Sequence, residues 1–98
     1  MARMSLARTG NHRYKNGYLR SRAWGWRRQR YFRDLRAAGF EPACQVCGIL
    51  MASYREREGK DLDLHHVSYD GVSYDEDAGK WVAAEADEDL MPMCRICH

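Results

Sequence analysis

Four cysteines stand as two matched pairs, Cys44-x-x-Cys47 and Cys94-x-x-Cys97. Each pair offers two thiolates from one tight turn to a single ion. Four sulfurs at about 2.3 Å would complete a tetrahedral Zn²⁺ shell. Two disulfides, or two redox pairs, are the alternatives. Disulfide frameworks belong to small secreted domains. Here Met1 to Arg30 is basic throughout and lacks the apolar segment of a secretory signal. Redox pairs rarely come in twos at this separation. The reading is therefore structural zinc. Its wide ligand spacing differs from that of a C₂H₂ finger or a short zinc ribbon, so the ion would tie together the two ends of the region between the pairs.

His65 and His66 are the second group capable of chemistry. They close the alternating run Leu62-Asp63-Leu64-His65-His66-Val67, which reads as a strand. Adjacent strand residues point to opposite sides, so the two imidazoles cannot share one task. Either one binds a metal while the other faces a substrate, or one packs and the other is solvated. His12 lies in a basic stretch and reads as solvated.

The elements that must position these groups are few. The chain has 98 residues, room for one core only. Charged residues make up 31% of it, and Leu, Ile, Val and Phe are sparse, so the core is thin and needs a staple such as zinc. Residues 1–17 contain Gly10, Asn11, Asn16 and Gly17 with little periodicity, and read as a flexible basic arm. A helix is expected from an N-cap at Ser21 to a C′ glycine at Gly39. Trp24, Tyr31, Leu35 and Ala38 form its core stripe. Glu41-Pro42 breaks it. Ile49 to Lys60 reads as a polar linker or short helix, and residues 68–80 as a long loop or irregular hairpin. Trp81 to Ala84 could be a second strand, and Glu85 to Asp89 reads as acidic and exposed.

The net charge of +2 conceals an asymmetry. Residues 1–41 hold eleven Lys/Arg and two Asp/Glu, a net of +9; residues 42–98 hold five and twelve, a net of −7. A half this rich in arginine suits a polyanion, because guanidinium forks pair bidentately with phosphate. A solvated helix face that offsets the acidic half is the alternative. No apolar run approaches the roughly 20 residues of a membrane span.

Taken together, Cys44-x-x-Cys47-Gly48, Leu62-x-Leu64-His65-His66-x-x-Tyr69 and Glu88-Asp89-Leu90-Met91-Pro92-Met93-Cys94-x-x-Cys97-His98 resemble the HNH endonuclease family. The likeness is to its branch with two zinc-binding Cys-x-x-Cys pairs around the nuclease hairpin. Tyr18-Leu19-Arg20-Ser21-x-x-Trp24, ahead of an arginine-rich helix, extends it to residues 18–98. The resemblance implies a small zinc-stabilised α+β domain: a basic helix followed by a ββα-metal, treble-clef-like hairpin, with its final helix truncated. It implies His65 and His98 as ligands of a catalytic divalent ion such as Mg²⁺, Mn²⁺ or Ni²⁺. It implies His66 as the general base, and Asp89, where the family often has Asn, as the residue that orients the base or braces its loop. Aspartate there would raise the pKa of His66. The family's further histidine, one helical turn beyond His98, has no counterpart before the sequence ends. Water, or a side chain such as Asp70, Asp87, Asp89 or His12, would complete the shell.

The function so implied is metal-dependent hydrolysis of phosphodiesters in double-stranded DNA, in the cytoplasm of a bacterial or phage-infected cell. Arg20, Arg22, Arg27, Arg28, Arg30 and Arg33 would hold the backbone without reading sequence, through contacts weakened by salt. A zinc-stabilised nucleic-acid-binding module without catalysis is the alternative. A protein-interaction domain using the acidic loop is the third reading.

Overall fold

The computed structural model describes residues 3–5 and 12–98, with side chains from residue 15 onward. Three helices are described: α1 (His12–Leu19), α2 (Arg22–Ala37) and α3 (Met51–Glu58). Five short strands form two antiparallel sheets. β1 (Arg3–Ser5), β3 (Val72–Asp75) and β4 (Lys80–Ala83) make one, in the order β1-β3-β4; β2 (Asp63–His66) and β5 (Leu90–Met93) make the other. This is a small α+β domain. No described helix is long and apolar enough to cross a membrane.

α2 begins and ends where its caps dictate. Ser21 Oγ accepts from the Trp24 N–H at 3.2 Å, satisfying a donor that the first turn leaves orphaned. At the other end Gly39 adopts φ 91°. The Phe40 N–H then reaches the Leu35 carbonyl and the Gly39 N–H the Arg36 carbonyl, a Schellman closure. The buried face of α2, however, is Trp24, Arg27 and Phe32. Tyr31 and Leu35 are only half-buried and Ala38 is exposed, which corrects the expected stripe. Arg27 can enter because the Glu85 carbonyl and the Asp87 carboxylate receive its guanidinium.

Part of the basic arm expected over residues 1–17 is described. Residues 3–5 pair with β3, and α1 starts at His12. Lys15 lies over the Tyr69 ring, 5.2 Å from its centre, and Trp81 lies against Gly17. The rest of that arm falls outside the described residues.

β2 and β5 pair over four residues, from Asp63↔Met93 to His66↔Leu90. The β3–β4 hairpin is inserted between them. Its turn closes at Gly79 with φ 65°, and the Asp75 side chain caps the Asp77 and Ala78 N–H groups. The first cysteine turn docks on β5 through a hydrogen bond from the Gln45 N–H to the Pro92 carbonyl, 2.9 Å. The core lies beneath: Tyr18, Trp24, Phe32, Met51, Tyr54, Leu62, Leu64, Val72, Leu90 and Met93, with Cys44 and Cys94 at its margin. Aromatic and sulfur-bearing side chains fill what few aliphatics leave empty.

Candidate metal centre and histidine site

The two cysteine turns meet. The Sγ atoms of Cys44, Cys47, Cys94 and Cys97 all lie within 4.8 Å of one another, and none is in a disulfide. Cys47 Sγ and Cys94 Sγ are 3.7 Å apart. A tetrahedron with bonds of about 2.3 Å has edges of about 3.8 Å, whereas a disulfide needs about 2.05 Å. The spacing fits one ion. Burial opposes charge on Cys44, but hydrogen bonds from backbone N–H groups of residues 47, 94 and 46 outweigh it and pull the thiol down to about 6. Cys97 is pushed up to about 12, first by its hydrogen bond with Cys94 and also by the neighbouring cysteine sulfurs. Four thiolates crowd one another until a cation sits among them, and these sulfurs are disposed to take Zn²⁺.

Strand alternation divides β2 as expected. Leu64 and His66 are buried, while Asp63 and His65 are half-exposed on the opposite side. His98, placed by the second cysteine turn through its N–H bond to the Cys94 carbonyl, comes to that outer side. The His65 and His98 ring centres are 5.1 Å apart, and His98 Nδ1 lies 3.1 Å from Asp63 Oδ2. A cleft of about 390 Å³ opens here, lined by Leu19, Trp24, Arg28, Asp63, Leu64, Arg95 and His98. Burial, and then the neighbouring imidazoles of His98 and His66, lower the pKa of His65, which favours its neutral, ligating form. Among the described residues, only the four cysteines converge tightly as three or more metal-binding groups. Asp63, His65 and His98 gather more loosely.

His66 faces inward, with its side chain 2% exposed. Its ring stacks on Tyr69 at 4.1 Å and 12°, and lies 4.4 Å from Trp24 and 5.9 Å from Tyr18, centre to centre. Its Nε2 sits 2.7 Å from Glu85 Oε2, which also accepts from Tyr18 Oη at 2.5 Å. Burial alone would raise the pKa of Glu85, but the hydrogen bonds from His66 and Tyr18 outweigh it and the net shift is downward. An ionised Glu85 accepts at Nε2–H, which leaves the lone pair of a neutral His66 on Nδ1. The same burial, together with Glu85, raises the pKa of Tyr18 and keeps it a donor. Arg27 Nη1 and Glu85 Oε1 are buried without a hydrogen-bond partner among the described residues.

Several expectations change. Glu85, read as exposed, is 3% exposed and is the carboxylate that holds His66. The Asp89 side chain makes no described contact with His66; its carbonyl instead accepts from the Val67 N–H at 2.8 Å, bracing the residue after the histidines. Arg27 is 3% exposed and engaged with Glu85 and Asp87, so it is withdrawn from any phosphate surface. Arg20, Arg22, Arg30 and Arg33 are exposed, and Arg28 is half-exposed beside the histidine cleft. Of the substitute carboxylates, Asp87 is taken by Arg27. Asp63 is the carboxylate beside His98, and its place two residues before His65 on one strand is the signal that finds it. The side chain of His12 lies outside the described residues. Compared with known proteins, the chain matches no family model, no curated protein and no solved structure.

Proposed function

We propose that this domain is a zinc-stabilised, metal-dependent endonuclease of the HNH kind, hydrolysing phosphodiester bonds of DNA. The observation that carries this reading is the meeting of Asp63, His65 and His98 on the outer side of β2, where Asp63 and His98 border a cleft that has Arg28 and Arg95 on its walls. Two imidazoles and a carboxylate suit a first-row divalent ion, and water would fill the remaining positions. Such an ion supplies charge neutralisation on the phosphate and on the leaving oxygen. Arg28 and Arg95 would hold the phosphodiester against the cleft. Glu85 fixes the tautomer of His66, so any proton taken by His66 goes to Nδ1. By sequence analogy β2, β5 and the second cysteine turn form the hairpin of a ββα-metal fold.

The enclosure of His66 favours a second reading, a nucleic-acid-binding module in which this histidine is structural. The two separate in one experiment. Zinc-loaded protein is incubated with supercoiled plasmid and Mg²⁺, Mn²⁺ or Ni²⁺, with EDTA as control. Under the first reading His65→Ala and His98→Ala each lower cleavage at least about a hundredfold, the scale of losing a metal ligand or its support, while bound zinc stays at the parent level. His66→Gln also abolishes cleavage with the fold retained. DNA retarded on a gel but uncut with every ion supports the binding module.

A further inference from the structure

One stripe of α2 is largely exposed. Arg22, Gly25, Trp26, Gln29 and Arg33 recur at offsets of 3, 4, 7 and 11 from Arg22, which places them on one helical face. Trp26 is 69% exposed, and Arg22, Gln29, Arg30 and Arg33 are exposed around it. Arg22 and Arg30 form no ion pair among the described residues, and Arg33 meets only its neighbour Asp34, at 3.3 Å. Two recesses flank the indole. One, of about 290 Å³, is lined by Arg22, Gly25, Trp26 and Gln29. The other, of about 480 Å³, lies toward β4, with Arg30, Arg33 and Ala83 in its walls.

Gly25 is the telling residue. Glycine inside a helix is less stable than alanine there. A Cβ at Gly25 would meet nothing within 4 Å, so no contact inside the domain requires its absence. Glycine is also the residue that lets a ligand approach the backbone closely. An exposed indole beside that bare stretch, flanked by exposed guanidiniums, matches the way proteins hold unpaired nucleotides: a base stacked on an aromatic face, its phosphates on arginine. Duplex DNA offers no free base face, because its bases are stacked on one another and show only edges in the grooves. An acidic peptide would use the arginines but would need neither the indole face nor the bare backbone beside it.

We propose that this stripe binds a single unpaired strand of nucleic acid, with a base stacked on Trp26 over Gly25 and phosphates on Arg22, Arg30 and Arg33. The inference rests on the endonuclease reading only for the choice of a nucleic-acid partner, and adds that the domain grips a displaced or unpaired strand. The test is fluorescence anisotropy of a labelled mixed-sequence single strand and of its duplex, with the zinc-loaded chain and no other divalent ion. Trp26→Ala is expected to weaken single-strand binding about tenfold while leaving duplex affinity nearly unchanged. Trp26→Phe recovers most of the loss. Gly25→Ala raises the thermal midpoint yet weakens single-strand binding, a pair of effects that mere helix stabilisation would not produce. Arg30→Ala weakens both ligands and lowers the salt slope by about one contact.

Single-strand affinity indifferent to both Trp26→Ala and Gly25→Ala overturns the proposal. So does displacement of the strand by polyglutamate at equal charge, which would mark a site for acidic protein. Plasmid cleavage measured on the same preparations keeps the two ideas apart. Trp26-dependent strand binding without cleavage by any ion removes the endonuclease reading and supports the stripe. Cleavage with strand binding that ignores Trp26 does the reverse.

Discussion

Glu85 sits between two alanines in an acidic run, and its burial depends on two donors that are distant in sequence, Tyr18 and His66. Hydrogen bonds to a charged group contribute about 1.5–3 kcal/mol each when buried, and leaving such a group without partners costs more than omitting it. Glu85→Gln keeps the shape and removes the charge, so a loss of about 1–2 kcal/mol at neutral pH is expected from that range. The loss should depend on pH in a defined way. The pKa of Glu85 is lowered from its ordinary 4.5, so its contribution is complete above about pH 4.5 and disappears as pH falls through the folded value. Thermal melts of parent and Glu85→Gln at matched zinc should therefore converge in that acid window. Parallel curves from pH 7 down to pH 3 would show that the charge contributes nothing. Sequence could not reveal this residue, because the acidic run that follows it reads as solvated and its two donors lie far away in the chain. The opposed placement of the two histidines was legible, because period-two alternation sends neighbours to opposite sides; which of them faces inward is set by the packing of Tyr18, Trp24 and Tyr69 around His66. The cysteine pairs were legible because a Cys-x-x-Cys turn is a local geometry.

At the scale of elements, α2 shows how far local signals reach. Its ends follow from Ser21 and Gly39, and these depend on backbone groups within the helix itself. Ser21→Ala should cost about 1 kcal/mol, the usual loss of an N-cap, read as a lower urea midpoint at unchanged slope. A shift of less than a few tenths would mean that Ser21 does not cap in solution. Its buried face was misjudged because the choice between neighbouring stripes is made by what covers the helix. Glu85 and Asp87 stabilise Arg27 on the inner side, and little packs over Leu35 and Ala38. The β3–β4 hairpin has a comparable tight point. A Cβ on Gly71 would stand 2.2 Å from the Ala84 carbonyl oxygen, and that carbonyl belongs to backbone which cannot rotate away. Gly71→Ala must separate the strands where the Ala84 N–H bonds the Gly71 carbonyl. A cost of about 1–3 kcal/mol is expected, with early amide exchange at Val72 and Ala84. Unaltered protection at those two amides would count against it.

For the whole molecule the question is what replaces the missing aliphatic core. The cysteine turns sit at the ends of two segments that otherwise share little: residues 43–50, and β5 with the residues after it. Between them run the Gln45–Pro92 hydrogen bond and the sulfur cluster. An ion held by all four sulfurs joins the chain across residues 48–93, and in metal-dependent domains of this size its binding free energy, about 10–16 kcal/mol for zinc-finger peptides, is folding free energy. Removal of zinc should therefore do more than loosen two turns. Without the ion, the β2–β5 ladder loses one anchor, and His98 loses the turn that brings it to His65 and Asp63. Titration with a strong chelator should release one zinc per chain. It should abolish cooperative unfolding, and broaden the amide signals of residues 63–66 and 90–98 together. Cys44→Ser should reproduce that state, because it removes one of the four sulfurs, and one disposed to ionise. A chelated protein that still melts cooperatively near the parent temperature would show that the aromatic core of Tyr18, Trp24, Phe32 and Tyr54 suffices. The ion would then serve only to hold His98 in place. α1 and α2 make no described bond to the cysteine turns, so residual helicity after zinc loss is expected and would leave the prediction intact.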